Sequence, residues 1–442
     1  MTERILLGDE AVALGAIDAG ISAAYAYPGT PSTEIFETIR RHANAAEPPI
    51  RGLWSTNEKV ALEEGIGVSY AGKRALVAMK HVGLNVAADP FMNVAVAGAH
   101  GGLVLAVADD PSMHSSQNEQ DSRYFADFAQ VPCLEPSDQQ ECYSLTREAF
   151  DLSEELQVPV MLRLVTRLAH SRARVTRSPP RAQNEARYVA DPSRYTLLPS
   201  NARRAYAALL DKQAALAEYA ERHPANALTL RGDGRPGILV SGIAWNHLRE
   251  ALGTGIGQFN LLRIGVYPLP VRKIRQLLDA SSALWLVEEG YPFIERYVSA
   301  LGLMREPPMK GKLTGHLPRS GELTPDILRR SFGLPGAEAL RIPGLDEVLV
   351  GRPPRLCEAC PHDDAYLAIN EAIAGMGGDI RVMGDIGCYA LGYLEPHQAI
   401  HSCLCMGASI GMAIGAAHAG MSPSLCVIGD GTFTHSGMAP LL

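Results

Sequence analysis

Short apolar runs alternate with alanine-rich runs over residues 1–180, and this alternation limits the folds open to the chain. Runs with strand character are 23–27, 75–80, 103–108 and 160–165, and runs with helix character are 11–19, 31–42, 58–70 and 139–156. Strands that alternate with helices favour a parallel sheet covered by helices on both faces. We therefore predict an α/β chain of several doubly wound parallel-sheet domains, in which ligands bind beyond the carboxyl ends of the strands.

The composition changes after residue 180 and divides the rest of the chain into further blocks. Residues 181–235 are polar and predict an exposed linker with a helix near 203–222. Residues 236–350 predict a second α/β domain with strands at 237–241, 260–264 and 283–288. Residues 351–442 predict a third domain with helices at 365–375 and 407–419 and strands at 380–383 and 425–428.

The third domain is predicted to be incomplete. It has two convincing strands, and isolated two-stranded units are marginally stable. We therefore expect either a fragment whose remaining strands are absent or a short protein whose sheet is completed by a partner. Gly407, Gly411 and Gly415 recur at four-residue spacing on the second helix, which predicts a smooth face for close helix packing.

Composition argues against several classes of function. With 40 basic and 48 acidic residues and a net charge of −8, nothing favours a nucleic-acid or anionic membrane partner. No apolar run reaches the roughly 20 residues of a membrane-spanning helix, and the first residues lack the apolar core of a signal peptide. Eight cysteines in 442 residues do not indicate a disulfide-rich scaffold. We expect a cytoplasmic protein with reduced thiols.

Asp430 lies between Gly429 and Gly431, after an apolar run and directly before Thr432. A strand that ends in a glycine-flanked acid commonly presents the carboxylate to a metal ion bound to phosphates. Glycine lets the backbone approach phosphate oxygens, and a carboxylate is the hard oxygen ligand that Mg²⁺ prefers. The motif predicts a magnesium–phosphate site, and an ordinary strand-to-helix turn capped by Asp430 is the alternative.

Polar side chains are concentrated in four loops that follow predicted strands. The loops are 27–32, 54–58, 80–85 and 113–121. Thr30, between Gly29 and Pro31, can offer a hydroxyl and backbone N–H groups to a substrate carboxylate. The alternative is a capped helix with Pro31 at its first position. The stretch 116–123 is interpreted either as a lid over a site or as a solvated loop.

Seven short stretches in order resemble the alpha subunits of indolepyruvate oxidoreductases, within the thiamine-diphosphate-dependent 2-oxoacid:ferredoxin oxidoreductase family. They are residues 27–34, 57–61, 80–85, 116–123, 357–362, 384–392 and 429–437. The resemblance implies a pyrimidine-binding domain at 1–180, a transketolase-C-terminal-like domain at 236–350 and a diphosphate-binding domain at 351–442. Family members continue to an asparagine that also binds Mg²⁺, and many carry a ferredoxin-like domain with two cysteine-rich iron–sulfur motifs.

The resemblance implies thiamine diphosphate and Mg²⁺ as cofactors. Glu58 is then the catalytic carboxylate that hydrogen-bonds the aminopyrimidine, although an acid at a helix start also stabilises the helix dipole. Thr30, His81 and Asn85 are the implied substrate contacts, and a structural role in the loop is the alternative for His81 and Asn85. The implied cofactor contacts are Asp385, Gly387, Cys388, Tyr389, Leu391, Gly429, Asp430, Gly431 and Thr432, with Asp430 as the Mg²⁺ ligand.

The cysteines of the third domain allow three interpretations. Cys357 and Cys360 form a C-x-x-C motif, and Cys388 follows later. Similar cysteines hold an iron–sulfur cluster near thiamine in ferredoxin-coupled oxidoreductases, so the resemblance implies a [4Fe–4S] site. Such a cluster takes four thiolates, and the fourth would be Cys403, Cys405 or a missing residue. The alternatives are zinc bound by three cysteines and His362, or unreactive buried thiols.

The predicted function is that of an alpha subunit that oxidatively decarboxylates an aryl pyruvate of the indolepyruvate type. Its electrons pass to ferredoxin and its product is an acyl-CoA. The expected partners are a smaller beta subunit in a hetero-oligomer, ferredoxin, coenzyme A and the 2-oxoacid. Two other functions fit the sequence: a non-oxidative thiamine-diphosphate-dependent decarboxylase, which needs no clusters, and an inactive subunit that serves assembly.

Overall fold

The computed structural model describes residues 2–189, 191–300, 308–336, 342–351, 353–377 and 380–442. They form two compact units, Met1–Ala337 and Glu338–Leu442. The strands of the first unit are β1 Thr2–Leu7, β2 Ala23–Ala26, β3 Arg51–Trp54, β4 Ala75–Lys80, β5 Leu103–Asp109, β6 Cys133–Leu134, β7 Val160–Val165, β8 Arg172–Arg177, β9 Leu228–Thr229, β10 Arg235–Ser241, β11 Asn260–Ile264, β12 Val266–Tyr267, β13 Ser281–Val287 and β14 Met309–Lys310.

Helices surround these strands. The α-helices of the first unit are α1 Gly8–Asp18, α2 Thr33–His42, α3 Glu58–Tyr70, α4 His81–Val86, α5 Ala88–Ala97, α6 Arg123–Ala129, α7 Gln139–Leu156, α8 Thr166–His170, α9 Pro199–Asp211, α10 Gln213–Arg222, α11 Ala244–Leu252, α12 Val271–Asp279, α13 Phe293–Ala300 and α14 Pro325–Ser331. Among the described residues, no helix is both long enough and apolar enough to cross a lipid bilayer.

A seven-stranded sheet forms the first layer of the first unit, in the order β12-β6-β7-β5-β4-β2-β3. The strands from β6 to β3 are parallel, and β12 runs antiparallel to β6. β4, β5 and β7 are buried along their whole length, and apolar clusters pack on both faces. Burial on both faces is typical of parallel strands covered by helices. The predicted doubly wound α/β architecture is confirmed.

The strands predicted from apolar runs in this sheet are confirmed to within one residue at either end. Strand bounds were not predicted for β1, β3, β6, β8 or β12. β1 and β8 form a separate antiparallel pair, and β8 alternates charged with small or β-branched residues and is largely accessible. Its charged side chains conceal the strand pattern because this pair is not covered on both faces.

A second sheet in the same unit has the order β14-β13-β10-β11-β9. Its parallel centre consists of the three strands predicted in residues 236–350. β12, from the same stretch of sequence, instead forms the edge of the first sheet through its pairing with β6. The domain boundaries at 180, 235 and 350 therefore remain predictions, because the two sheets share chain segments.

Two helix predictions require correction. The segment 80–85 was predicted as a loop, but β4 leads directly into α4, whose residues His81, Gly83 and Leu84 are buried. Burial of this face stabilises a helix that its β-branched residues and glycine do not favour locally. The single helix predicted near 203–222 is two helices, α9 and α10, which meet at Lys212.

The second unit is described by itself. The described residues of this unit contain two strands, β15 Val382–Met383 and β16 Leu425–Cys426, which are parallel. They correspond to the two strands that the sequence predicted at 380–383 and 425–428. Its α-helices are α15 Leu345–Val348, α16 Pro361–Met376, α17 Ala408–His418, α18 Asp430–Thr432 and α19 Met438–Leu441. Gly407 is needed at the start of α17, where φ is +85° and a Cβ would be 2.7 Å from the Ser436 carbonyl carbon. The packing face predicted for Gly411 and Gly415 is wrong, because both are exposed.

Two arginines are fully buried where segments from both sheets of the first unit meet. Arg123 begins α6 and Arg163 lies on β7, and each is at most 1% exposed. Their carboxylate partners are Asp109, Asp121, Glu135 and Glu288. We refer to these six residues as the ionic network. A buried ion pair needs satisfied partners on all sides, so the network fixes the positions of the segments that carry it.

Glu289 lies beside the ionic network and is also fully buried. Its carboxylate accepts hydrogen bonds from the Leu323 N–H. Burial raises the pKa of Glu289 to about 7, although the ammonium of Lys312 opposes the rise. The folded protein therefore binds a proton at this carboxyl that the unfolded chain releases near pH 4.3, roughly its unperturbed value.

We expect Glu289→Gln to alter the pH dependence of stability. In the wild type, the stability that depends on a protonated Glu289 is fully present below the pKa that Glu289 has in the unfolded chain. This stability is lost as the pH rises through about 7. The variant should therefore become more stable relative to wild type as the pH rises, by an amount on the order of 3 kcal/mol. Thermal unfolding at a series of pH values measures this difference. Glu250→Gln, exposed on α11, is the control, and a Glu289→Gln curve parallel to wild type would contradict the pKa assignment.

Candidate functional site

The carboxyl ends of β5, β4, β2 and β3 lie side by side at one edge of the first sheet. The segments that follow them are 27–32 after β2, 55–57 after β3, α4 after β4 and 110–122 after β5. We call this edge, with those four segments, the carboxyl edge. It is the place at which a doubly wound sheet binds ligands, and it contains all four polar stretches that the sequence identified.

Glu58 is the first residue of α3 and is only 5% exposed. Asn57 caps the helix, because its side chain accepts a hydrogen bond from the Val60 N–H at 2.9 Å, and this cap fixes where the helix begins. The Glu58 carboxylate lies against the first turn of α4. A Cβ on Gly83 would be 2.5 Å from Glu58 Oε1, so Gly83 provides the space that the carboxylate occupies.

Lys80, the last residue of β4, is a site residue to which the sequence assigned no role. Its side chain is largely buried against Gly29, and its Nζ donates to the Ser115 carbonyl at 3.0 Å. Burial lowers the pKa of Lys80, and the carboxylates of Asp110 and Glu58 oppose that shift. The ammonium therefore lies near both acids. The sequence feature that could have identified Lys80 as a site residue is a lysine at the end of an apolar strand.

Asp110 organises the loop that follows β5. Its Oδ2 accepts hydrogen bonds from the Ser115 N–H (2.8 Å) and the Ser116 hydroxyl (2.7 Å). Its Oδ1 accepts a hydrogen bond from the Thr166 hydroxyl at 2.7 Å. Burial alone would raise the pKa of Asp110, but these hydrogen bonds and Lys80 lower it. The loop therefore folds around an ionised carboxylate.

The end of the stretch 116–123 is part of the core. Asp121, Ser122 and Arg123 are buried, and Arg123 donates two hydrogen bonds to Asp121. The solvated-loop interpretation is therefore wrong for this end, because the ionic network holds it. Residues 117 and 118 are exposed, and the lid interpretation stays a prediction.

Thr30 is exposed at the carboxyl edge, and its carbonyl accepts a hydrogen bond from the Ser115 hydroxyl at 3.1 Å. The turn before α2 is closed by hydrogen bonds from the Gly29 N–H to the Thr33 hydroxyl (2.9 Å) and from the Ser32 hydroxyl to the Gly29 carbonyl (2.8 Å). α2 begins at Thr33 with Ser32 at the N-cap. The interpretation of Pro31 as the first helical residue is wrong, because the turn occupies that position.

The two other predicted substrate contacts differ in accessibility. His81 is 1% exposed, and its Nε2 lies 3.1 Å from the Asn118 carbonyl oxygen. Its Nδ1 has no hydrogen-bond partner among the residues described. Asn85, one turn later on α4, is exposed. His81 therefore anchors the loop after β5, while Asn85 is free to contact a ligand.

In the second unit, the Asp385 carboxylate holds the start of α17. Its Oδ1 accepts hydrogen bonds from the N–H groups of Ile386 (2.9 Å) and Gly407 (3.0 Å), and its Oδ2 accepts one from the Ser409 N–H (3.1 Å). Asp385 is fully buried. Its carboxylate oxygens are therefore used within the protein, and a cofactor contact by Asp385 stays a prediction.

The two segments predicted to contact the cofactor meet in this unit. The first, Gly387–Tyr393, is a 3₁₀ helix that follows β15, and its Tyr389 is 3.9 Å from the position of a Cβ on Gly429. Cys388 is exposed and Leu391 is half-buried. Because β15 and β16 are parallel neighbours, both segments lie at the carboxyl end of the same two-stranded sheet.

The loop after β16 is accessible at the residues predicted to hold a magnesium–diphosphate group. Asp430 begins α18 and is exposed, and its Oδ1 accepts the Gly431 N–H at 2.8 Å. A Cβ on Gly431 would have no neighbour within 4 Å, so the backbone there is open to a ligand. Thr432 is buried beneath the loop. An accessible carboxylate beside an open glycine backbone fits a hard cation bound to phosphate.

The predicted cluster cysteines are accessible. Cys357 and Cys388 are exposed and Cys360 is intermediate, so the interpretation of these thiols as buried is wrong. Tyr366 lies near Cys360 and Cys388: burial raises its pKa to about 12, and both thiols contribute to the rise. Its hydroxyl donates to the Cys388 carbonyl at 2.7 Å. Cys360 Sγ lies 3.3 Å from His362 Nδ1. Among the described residues, these cysteines and His362 bring no three ligand atoms within 4.8 Å of one another, and the zinc alternative stays a prediction.

Comparison with known proteins identifies the family of the chain. The model for the pyruvate flavodoxin/ferredoxin oxidoreductase thiamine-diphosphate-binding family matches residues 14–223. The model for the C-terminal thiamine-pyrophosphate-binding domain of thiamine pyrophosphate enzymes matches residues 385–441. The indolepyruvate oxidoreductase subunit IorA of Archaeoglobus fulgidus is 39% identical over 459 aligned positions, which cover 99% of this chain and 72% of the relative. The chain belongs to the IorA family.

Further relatives agree with this assignment. The IorA subunit of Methanothermobacter thermautotrophicus is 40% identical over 99% of this chain and 72% of its own length. A solved 2-oxoglutarate:ferredoxin oxidoreductase from Magnetococcus marinus has a TM-score of 0.61 at 17% identity, over 75% of this chain and 65% of that chain. This likeness confirms the predicted α/β fold, and the two family models place the chain among thiamine-diphosphate enzymes.

Gly83→Ala tests whether the position of the Glu58 carboxylate matters. The added Cβ would be 2.5 Å from Glu58 Oε1, so the carboxylate must move, whereas alanine favours the helix. We expect turnover of the assembled oxidoreductase to fall by about tenfold or more, with little change in the thermal midpoint. Gly67→Ala, on an open face of α3, is the control and should retain activity. Unchanged turnover in Gly83→Ala would show that the position of the Glu58 carboxylate does not affect the reaction.

Proposed function

We propose that this chain is the thiamine-diphosphate-binding subunit of an oxidoreductase that oxidatively decarboxylates an indolepyruvate-like 2-oxoacid. The observation that carries the proposal is the buried carboxylate of Glu58 at the carboxyl edge, in a chain aligned over 99% of its length with IorA subunits. Ferredoxin is the proposed electron acceptor and an acyl-CoA is the proposed product. We propose that the chain works in the cytoplasm with a beta subunit in a hetero-oligomer.

Glu58 is the proposed catalytic carboxylate. Thiamine diphosphate, when bound, would supply the nucleophilic carbon and the electron sink that decarboxylation of a 2-oxoacid needs. Glu58 would hold the aminopyrimidine ring by a hydrogen bond to a ring nitrogen. Burial supports this role because water does not compete for the hydrogen bond. The ammonium of Lys80 lies near the Glu58 carboxylate.

The loop after β16 is the proposed diphosphate site. Asp430 would bind Mg²⁺, and the backbone of Gly429, Gly431 and Thr432 would approach the phosphate oxygens. The residues proposed to line the cofactor pocket beside them are Asp385, Gly387, Cys388, Tyr389 and Leu391. Accessibility of the Asp430 carboxylate and the open space above Gly431 support the assignment.

The substrate is proposed to bind at the carboxyl edge. Thr30 and Asn85 are exposed there and can contact the 2-oxoacid directly. His81 is buried and bonded to the loop after β5, so its proposed contribution is through the position of that loop or by a small movement toward the substrate. The indole side chain of the substrate is inferred from the names of the relatives.

A [4Fe–4S] cluster on Cys357, Cys360 and Cys388 is the proposed first electron acceptor. Three accessible thiols on two neighbouring segments support this assignment. The fourth ligand is proposed to be Cys403 or Cys405, which are both exposed, or a ligand from elsewhere in the assembled enzyme. A cluster here would receive electrons one at a time, as ferredoxin requires.

Glu58→Gln tests the proposed catalytic role. We expect turnover of the assembled oxidoreductase to fall by about a hundredfold or more, with the thermal midpoint preserved, because glutamine is isosteric but cannot act as a carboxylate. Ferredoxin-linked dye reduction with indolepyruvate measures the effect. Glu63→Gln, exposed on the same helix, is the matched control. Wild-type turnover in Glu58→Gln would refute the catalytic assignment.

Asp430→Ala should instead weaken Mg²⁺-dependent binding of thiamine diphosphate.

Cys360→Ser tests the cluster. The iron and acid-labile sulfide contents of the assembled enzyme should fall by about one [4Fe–4S] equivalent, and ferredoxin-linked reduction should fall with them. Cys426→Ser, an exposed thiol on β16, is the control and should leave the iron content unchanged. An iron content that does not change in Cys360→Ser, together with release of aldehyde from the 2-oxoacid, would instead support the non-oxidative decarboxylase.

A further inference from the structure

Three helices of the first unit bring two carboxylates and an imidazole together. Asp9 lies in the first turn of α1, Glu34 in the first turn of α2, and His170 is the last residue of α8. One ligand atom of each residue lies within 4.8 Å of those of the other two. Glu34 Oε2 and His170 Nε2 are 3.4 Å apart. None of the three has a role in the proposed reaction.

Asp9 is a buried acid without a partner. It is 0% exposed, and neither carboxylate oxygen has a hydrogen-bond partner in the described part of the chain. Burial raises the pKa of Asp9 well above its ordinary range, and the neighbouring carboxylates of Glu34 and Glu10 raise it further. An unpaired buried carboxylate is strongly unfavourable. Among the residues described, no cationic side chain is paired with Asp9.

Asp18, at the other end of α1, provides a comparison within the same helix. It is 1% exposed and accepts hydrogen bonds from Arg177 Nε (2.9 Å) and Nη2 (2.7 Å) and from the Tyr143 hydroxyl (2.7 Å). The protein thus pairs this buried acid with a cation and a hydroxyl. Asp9 is instead grouped with one other carboxylate, Glu34, and one imidazole, His170, which is the arrangement of a metal site rather than of an ion pair.

The helix dipole does not explain why a buried acid lies at position 9. Acids in the first turn of a helix are favourable, but Glu10 already provides that interaction, since its Oε2 accepts the Leu7 N–H at 2.9 Å. The position of Asp9 is also constrained. A Cβ on Gly8 would be 2.2 Å from the Leu168 carbonyl oxygen, so the backbones of α1 and α8 are in contact beside it.

We propose that Asp9, Glu34 and His170 bind one divalent first-row transition-metal ion that joins α1, α2 and α8. Two carboxylates balance the charge of the ion, and the imidazole favours a transition metal over Ca²⁺ or Mg²⁺, which prefer oxygen ligands. The side chains of Glu34 and His170 are 37% and 35% exposed, so water can complete the coordination. The ion fixes the start of α2, directly after the segment 27–32 of the carboxyl edge.

Titration with Mn²⁺ tests the proposal. The oxidoreductase is freed of bound metal and of thiamine diphosphate, and free Mn²⁺ is measured by its electron paramagnetic resonance signal. Mn²⁺ prefers carboxylate and imidazole to thiolate, so the cysteines compete little. Glu34→Gln and His170→Gln are compared with wild type. Their matched controls are Glu37→Gln, exposed on α2, and His418→Gln, exposed at the end of α17. Asp430→Ala removes any contribution from the diphosphate loop.

We expect Glu34→Gln and His170→Gln each to weaken one Mn²⁺ site by about tenfold or more, while both controls and Asp430→Ala retain it. Asp9→Asn should raise the thermal midpoint of the metal-free protein and abolish the further rise that Mn²⁺ causes in wild type. Equal Mn²⁺ affinity and stoichiometry in wild type, Glu34→Gln and His170→Gln would overturn the proposal. So would loss of all Mn²⁺ binding in Asp430→Ala. If Asp9→Asn does not fold, the other two variants still decide the result.

Discussion

Two buried guanidinium groups determine how the parts of the first unit fit together. Arg163 on β7 pairs with Asp109 at the end of β5 at 2.7 Å, and Arg123 pairs with Asp121 and with Glu288, which follows β13 of the second sheet. Burial alone would raise the pKa of Asp121, but Arg123 and Arg163 lower it to about 2. Loss of one partner from such a buried pair typically costs about 3–5 kcal/mol. The second sheet is therefore attached by ionic contacts as well as by apolar packing.

The ionic network reaches the carboxyl edge through consecutive residues. Asp109 binds Arg163 in the core, whereas the next residue, Asp110, accepts hydrogen bonds from Ser115, Ser116 and Thr166. One backbone step thus separates a carboxylate that joins the sheets from one that shapes the loop. Because the loop also ends in the buried Arg123, both of its ends are fixed, and only its middle is accessible. This arrangement gives a polar loop a defined position beside Glu58, as a catalytic site requires.

The sequence predicted the helices and strands that are determined by residues close together in the chain. β4, β5 and β7 were predictable because burial on both faces demands an apolar run. Contacts between distant residues were not predictable. Gly83 suggested a loop, but a glycine is needed there because the Glu58 carboxylate occupies the space that a Cβ would fill. The role of Lys80 depends on Asp110 and Glu58, which lie on other segments. The catalytic assignment of Glu58 came from the family resemblance, since a helix-capping acid has the same local pattern.

The short helix α8 connects the proposed metal site to the carboxyl edge. Thr166 at its start donates to Asp110 at 2.7 Å, and His170 at its end lies 3.4 Å from Glu34. Asp110 acts in turn on Lys80, whose ammonium is also influenced by Glu58. A helix of five residues is too short to be stable by itself, so its two ends are held by these contacts and by packing on α1. An ion that holds the His170 end would therefore also limit movement of Thr166, and through it the charges that surround Glu58.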